Sequence, residues 1–497
     1  MGGGFSWSSA RAGAWRGLIV LHRYLGVAVG LVMTVWCLSG FVMMYSGYPR
    51  LTEAERLRGL SPLRFDGCCA AVPTLAAPPR DFRVEMLAGR PVLRQDGVGG
   101  RTVVDLRAGT PVTGVSAPEA RAVAEAFVRG QGVAAAAGPP RLIDQDQWTV
   151  QGAARRGPVW RVAFDDPAAR QVYVARATGE VVQWTTRSKR FWGWLGAVPH
   201  WLYPTLLRQD GALWSEVVIW TSTVGVFLTA TGLYVGAARL KRYRSGRWSP
   251  YRGWFFWHHM TGLAFGVLTL AWVTSGLLTM GPWGLLDSEA GLNERAALAG
   301  RIDPAAAAGL IAALPGLPAG PAVALKAAPL DGRLFVTAHD GRRPAVRLDG
   351  LGRPAPLAAA ELDQAIRARI DPQAGAIVLM TAPDDYNYDG YDRPADLPAY
   401  RVALRDPQAT TLYLDPASGA VVRAVDRTER LSRWTRTALH DWDFPALKKG
   451  VLWDIVVLPL LAGVTAVCAL GAWLGWRRIV RDAASIRSRA GGGRRPG

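Results

Sequence analysis

The sequence predicts an integral membrane protein: a bundle of four α-helical spans carrying two α+β extracytoplasmic domains, built by internal duplication. Three observations predict it. Four stretches lack Lys, Arg, Asp and Glu over lengths that cross a hydrocarbon core. Basic residues gather in three short segments flanking those stretches. The two halves of the 497-residue chain also repeat one another at an offset of 236 to 240 residues.

The uncharged stretches are residues 24–45, 217–238, 253–286 and 455–476, and about 20 helical residues suffice to span a bilayer. The first is long, Gly-rich and not followed by an A-x-A site, so it reads as a retained span rather than a cleaved leader. Residues 1–23 hold Arg11, Arg16 and Arg23 with no acid; residues 239–252 hold six basic residues with no acid; residues 477–497 hold seven Arg against Asp482. The positive-inside rule then places both termini and the middle loop in the cytoplasm. The expected order is a cytoplasmic N-terminus 1–17, span 18–45, domain 46–212, span 213–238, loop 239–252, span 253–281, domain 282–450, span 451–476 and tail 477–497.

The net charge of +19, from 58 Lys+Arg against 39 Asp+Glu, therefore mainly records insertion topology. The two long segments keep too little of it for a nucleic-acid face, and that class is excluded. Four cysteines in so long a chain exclude a disulfide scaffold, and with none spaced as CxxC or CxxCH, covalent c-type haem and a zinc ribbon are disfavoured.

LHRYLGVAVGLVMTVWCLSG in the first span aligns without gaps to WHHMTGLAFGVLTLAWVTSG in the third, matching His22 with His258, Gly26 with Gly262, Gly30 with Gly266, and Ser39-Gly40 with Ser275-Gly276. VWRVAFDDPAARQVYVARATGEVV matches AYRVALRDPQATTLYLDPASGAVV, pairing Trp160 with Tyr400, Tyr173 with Tyr413 and Gly179 with Gly419, and the same offset takes His200 to His440. One residue out of that register, Trp214 matches Trp453, Gly232 matches Gly471 and Gly236 matches Gly475. In each domain the aligned segment reads as two short strands joined by a turn. The upstream runs PEARAVAEAF and LAAAELDQAI have the 3.6-residue rhythm of a helix packed on a sheet. Residues 131–140 and 314–322, rich in Ala, Gly and Pro, read as loops.

Five of the six histidines sit at membrane borders; His339 alone does not. Copies in the same orientation are related by an axis along the membrane normal, so matched residues face each other at equal depth. Two imidazoles opposed across that axis fit the two axial ligands of one haem iron. The pairs are His22 with His258 near the cytoplasmic side and His200 with His440 near the outside, with His259 a rival to His258. Gly26, Gly30, Gly262 and Gly266 would let a flat macrocycle lie between helices. Trp192, Trp194, Trp201, Tyr203 and Trp442 surround the outer pair. Border histidines also serve as interfacial hydrogen-bonders, and Trp and Tyr as an ordinary aromatic belt; retention of histidine at both duplicated positions favours ligation.

The duplicated LHRYLG/WHHMTG spans, the TTRSKRFWGWLGAVPHWLYP segment and the LYLDPASG strands resemble the PepSY-associated transmembrane family over residues 16 to 476. The resemblance implies a bacterial inner-membrane protein with PepSY-like domains, similar to periplasmic ferric-siderophore reductases of iron uptake. It also implies two b-type haems on His22, His258, His200 and His440. No GxGxxG follows a strand, and the cytoplasmic parts are too short for a flavin or NAD domain. The expected partners are thus the lipid bilayer, an external donor (quinol or a cytoplasmic reductase) and a periplasmic ferric chelate or protein acceptor. The alternative is a membrane-anchored, non-enzymatic PepSY module, inhibitor or chaperone-like. A transporter is disfavoured because the spans lack Asp, Glu and Pro-broken midsections.

Asp385-Tyr386-Asn387-Tyr388-Asp389-Gly390, with Asp396 at the twelfth position, matches half of a calcium loop, but Pro394 lies inside it. Asp144-Gln145-Asp146-Gln147-Trp148 occupies the equivalent place, which favours a shared structural loop. Cys68-Cys69 is a vicinal pair, and Cys37 and Cys468 read as small packing residues within spans.

Overall fold

The computed structural model describes residues 7–69, 82–97, 100–316, 320–390, 394–447 and 450–491. They form two compact units, one of Met1–Tyr48, Trp192–Leu286 and Leu431–Gly497, the other of Pro49–Phe191 and Asp287–Arg430.

The first unit is built on helices Trp7–Met43, Gly211–Arg239, Trp254–Thr279 and Val451–Gly491, all long and apolar enough to cross a membrane. The fourth runs on through the basic segment expected to form a separate tail from residue 477. Asp210 caps the second span, accepting from the Ala212 and Leu213 amides at 3.1 and 2.9 Å. Hydroxyls inside the spans bond back to their own helix, as Thr34 does to the Gly30 carbonyl at 2.7 Å and Thr465 to that of Leu461 at 2.7 Å. Such bonds spare a hydroxyl the cost of an unsatisfied donor in apolar surroundings. Leu31, Val267 and Ile455 point outward, 67, 70 and 64 % exposed, as lipid-facing residues do.

The first span packs on the second and fourth, and the third on the same two. The shared core is Val29, Met33, Leu228, Val273, Val464 and Cys468. Small residues set the approach: a Cβ on Gly30 would lie 3.5 Å from the Ala472 backbone, and one on Gly463 would strike the Phe265 ring at 2.3 Å.

The second unit centres on a seven-stranded antiparallel sheet to which both halves of the chain contribute. Phe82–Leu87 pairs with Ala324–Leu330, in the register Arg83 to Lys326 and Glu85 to Ala324. The segments expected as two domains thus share one sheet. Its core holds Phe82, Val84, Leu93, Leu325 and Val336 together with Ala307, Leu310 and Ile311 of the Ala-rich helix Pro304–Ala313.

Each half adds a smaller sheet carrying one helix. Ala117–Gly130 covers Val159–Asp165, Gln171–Ala175 and Val181–Thr185. Ala359–Arg369 packs with Ala399–Ala403, Thr411–Leu414 and Val421–Val425. Both helices form where the sequence rhythm places them. The aligned segment gives three strands rather than two, because Gly179 and Gly419, with φ of 70° and 75°, turn the chain into a further strand. Within 131–140, read as loop, Ala136 and Ala137 pair with Asp165 and Phe164; residues 317–319 of the other stretch lie outside the described residues.

Beside the joint between the halves, fully buried Glu85 binds Arg94 at 3.0 Å and Arg56 at 2.7 Å, and Glu180 binds Arg83 at 2.9 Å and Arg101 at 3.4 Å. Burial raises the Glu180 pKa, but Arg94, Arg83 and Arg101 outweigh it and hold the carboxyl below its ordinary value. Its stabilisation is therefore present above the unfolded pKa, about 4.3, and is lost as pH falls through the lower folded value. Glu180→Gln is expected to cost about 3–5 kcal/mol at neutral pH and to weaken the acid sensitivity of the fold. Urea unfolding of the detergent-solubilised protein across a pH series measures both.

Candidate functional site

His22 in the first span and His258 in the third face one another with ring centroids 6.4 Å apart. His200 and His440 end up 6.1 Å apart. Each lies in a short helix beside the spans, Ala197–His200 and Leu439–Asp441, the latter preceded by a π-helical turn at Arg433–Ala438. His22 and Gly40, at the two levels, are 18 residues apart on one helix, about 27 Å at 1.5 Å per residue. That approaches the roughly 30 Å of a hydrocarbon core.

His259 faces elsewhere. Its Nδ1 lies 2.8 Å from Ser249 Oγ and its Nε2 2.9 Å from the Gly236 carbonyl, so both nitrogens are engaged in tying the middle loop to the bundle.

In three of the four paired histidines it is Nδ1 that meets the protein. His22 Nδ1 donates to the Leu228 carbonyl at 3.1 Å. His200 Nδ1 donates to the Trp36 carbonyl at 3.0 Å and lies 3.2 Å from Ser39 Oγ. His440 Nδ1 lies 3.3 Å from Ser275 Oγ, whose own proton goes to the Trp272 carbonyl at 3.0 Å. His258 Nδ1 is buried without a hydrogen bond, although the Val467 carbonyl, the counterpart of Leu228, lies by the ring. A ring donating through Nδ1 keeps its Nε2 lone pair. Orienting a histidine through its second nitrogen is how metal-binding imidazoles are held.

A glycine lies against every one of these rings. A Cβ on Gly232 would meet His22 Cε1 at 2.6 Å, on Gly471 His258 Cε1 at 3.1 Å, on Gly276 His440 Cε1 at 3.1 Å and on Gly40 His200 Cε1 at 4.0 Å. The glycines expected to make room divide differently. Gly30 and Gly266 are used in helix packing, against Ala472 and Leu233, whereas Gly26 and Gly262 face nearly open space.

The family described as the PepSY-associated TM region matches residues 19–337, which takes in His22, His200 and His258. This chain belongs to that family. With four helices able to span a bilayer, this PepSY-associated protein is a multi-pass membrane protein. No curated protein matches the chain.

Around the outer pair of the PepSY-associated protein, Tyr48, Trp201, Tyr203 and Trp214 pack edge to face, with Tyr203 5.4 Å from both Tyr48 and Trp214. Trp442 packs on Trp272 at 6.1 Å. Trp192 and Trp194, expected in the same cluster, are 44 and 51 % exposed. Ser39 and Ser275 were visible as a duplicated pair, yet their contact with the histidines depends on a fold-back of about 160 residues that no local pattern encodes.

In the second unit the candidate loop is held together by its own hydrogen bonds. Asn387, fully buried, donates through Nδ2 to the Asp396 carbonyl at 2.8 Å and accepts from the Asp396 amide at 3.0 Å, while Asp389 accepts from the Ala395 amide. Residues 391–393 of that loop lie outside the described residues. Tyr413 donates to Asp384 and Tyr173 to Asp146, each at 2.8 Å, so one loop anchor recurs in both halves. Among the described residues no three His, Cys, Asp or Glu side chains gather to hold a metal ion. Cys68 and Cys69 are bonded to each other. A cavity of about 150 Å³ is lined by Arg56, Glu85, Arg94, Phe127 and Glu180; Glu85 pairs with Arg56 and Arg94, and Glu180 with Arg83 and Arg101 beside it. Burial, aided by Lys326, holds His339 at a pKa of about 4, hence neutral.

The glycine contacts separate by distance. Gly232→Ala is expected to displace the His22 ring and lower bundle stability by about 1–3 kcal/mol. Gly40→Ala, meeting only ordinary van der Waals contacts, is expected to be tolerated. Thermal unfolding of the two variants in detergent, side by side with the parent, checks the ranking.

Proposed function

We propose that this protein is a transmembrane electron-transfer oxidoreductase holding two b-type haems, one between His22 and His258 and one between His200 and His440. In this reading it lies in the bacterial inner membrane and serves a periplasmic acceptor, a ferric chelate such as a ferric siderophore being the class implied by the family resemblance. The observation that carries it is the spacing of paired rings whose Nε2 atoms have no protein partner among the described residues.

Two imidazoles holding one metal ion from opposite sides, with bonds of about 2.0–2.1 Å and about 1.1 Å from nitrogen to ring centre, would have their centres roughly 6.3 Å apart. The centroids stand at 6.4 and 6.1 Å. Two opposed imidazoles, with no third His, Cys, Asp or Glu gathered beside them among the described residues, would suit haem iron, whose remaining donors come with the group itself. Bound there, haem supplies reversible one-electron chemistry.

The residues' share is to bind and orient. The Leu228 and Trp36 carbonyls fix the tautomers of His22 and His200, Ser275 that of His440, and the glycines let the rings seat between helices. Val29, Met33, Leu228, Val273 and Val464 keep water from the space between the two levels. No acid or base is required for outer-sphere transfer. Reduction of Fe(III) to Fe(II) weakens hard-oxygen chelation, which would release iron from its carrier. The basic flanks support placing both termini in the cytoplasm and the sheet-bearing segments in the periplasm. The donor is then external, quinol or a cytoplasmic reductase.

Protein produced with ample haem supply should contain two haems per chain and show b-type bands in a reduced-minus-oxidised spectrum. His200→Ala or His440→Ala should each remove one haem and leave the inner one. Protein without haem sinks this reading and returns the second unit to a binding or regulatory role; loss of both haems, or neither, contradicts the pairing.

A further inference from the structure

At the end of the second span lies a cation that no carboxylate among the described residues answers. Arg239 closes that helix and stacks over Trp15 of the first span, 5.4 Å from its ring centre. Its Nε is buried without a partner, and among the described residues no carboxylate pairs with it. Residues 239–252 contain no Asp or Glu. The repeat counterpart, Arg478, binds Asp482 one turn along its own helix at 2.9 Å.

The two spans form a ladder that locates this cation. His22 meets Gly232, and Trp15 meets Arg239; each step is seven residues, in opposite chain directions. Seven residues are two turns, so Arg239 lies on the helix face that meets His22, about 10 Å nearer the cytoplasmic end. Trp15 also packs on Tyr234 at 6.1 Å, which fixes the platform under the guanidinium. A half-buried, unpaired guanidinium calls for a planar anion, which a carboxylate satisfies through two parallel hydrogen bonds.

We propose that Arg239 anchors a propionate carboxylate of the haem held between His22 and His258. The proposal rests on the haem reading above. The competing source of a matching anion is a lipid phosphate at the same depth.

The test is a potentiometric titration of the purified protein, with the inner component identified by its absence in His22→Ala. Removing a positive charge beside the iron favours the oxidised form. Arg239→Gln should therefore lower the midpoint potential of the inner component alone, Arg239→Lys should restore most of the shift, and exposed Arg244→Gln should leave both components in place. The shift should persist in delipidated detergent micelles. A shift seen only in nanodiscs of anionic phospholipid assigns the arginine to lipid and overturns the proposal. Two haems with unmoved potentials overturn the anchor alone, whereas haem-free protein overturns the anchor and the reading beneath it.

Discussion

A neutral imidazole in an apolar bundle has one N–H to place, and the bundle is arranged around that requirement. An unsatisfied donor in such surroundings costs several kcal/mol. The acceptors come from neighbouring segments: the Leu228 carbonyl on the second span for His22, and the Trp36 carbonyl on the first for His200. For His22 that bond needs a close approach of the spans, which Gly232 permits, since a Cβ there would meet the ring at 2.6 Å. Tautomer, helix spacing and an unengaged Nε2 are thus one constraint at His22. A bulkier residue at Gly232 and a lost acceptor at Leu228 act on the same geometry.

In the second unit a different physics joins the halves. Strands Phe82–Leu87 and Ala324–Leu330 each present an edge that would otherwise be open, and pairing the two edges removes both. The charges of Glu85, Arg94, Arg56 and Glu180 gather beside that joint, where each carboxylate meets more than one guanidinium. Removing one partner strands a buried charge, so the network specifies the pairing more than it adds net stability.

Much of this was legible in the sequence, for reasons particular residues show. Duplicated histidines stood out because they persist where neighbours diverged, and uncharged runs marked the spans directly. PEARAVAEAF and LAAAELDQAI announced their helices by period. The shared sheet was not legible, since strand pairing across some 240 residues leaves no periodic trace in either strand. Nor was the choice between His258 and His259, adjacent on one helix: the Ser249 hydroxyl and Gly236 carbonyl that occupy His259 arrive from a loop and from another span. Gly232 and Gly471 were visible as repeat matches, but that a ring abuts each of them follows only from the packed bundle.

The two halves are not equivalent around their histidines, and the difference runs the same way at both levels. His22 and His200, from the first half, donate to backbone carbonyls at 3.1 and 3.0 Å. His440 has only a serine oxygen at 3.3 Å, and His258 has no well-formed bond. Trp272, unlike Trp36, spends its indole N–H on the His440 carbonyl, which holds that residue by its backbone and leaves the ring less constrained. A firmly held Nδ1–H makes the ring a stronger donor through Nε2. On the proposed reading each pair therefore combines one rigid, more basic imidazole with one freer imidazole. The first half supplies the fixed frame, and adjustment to whatever lies between the rings falls to His258 and His440.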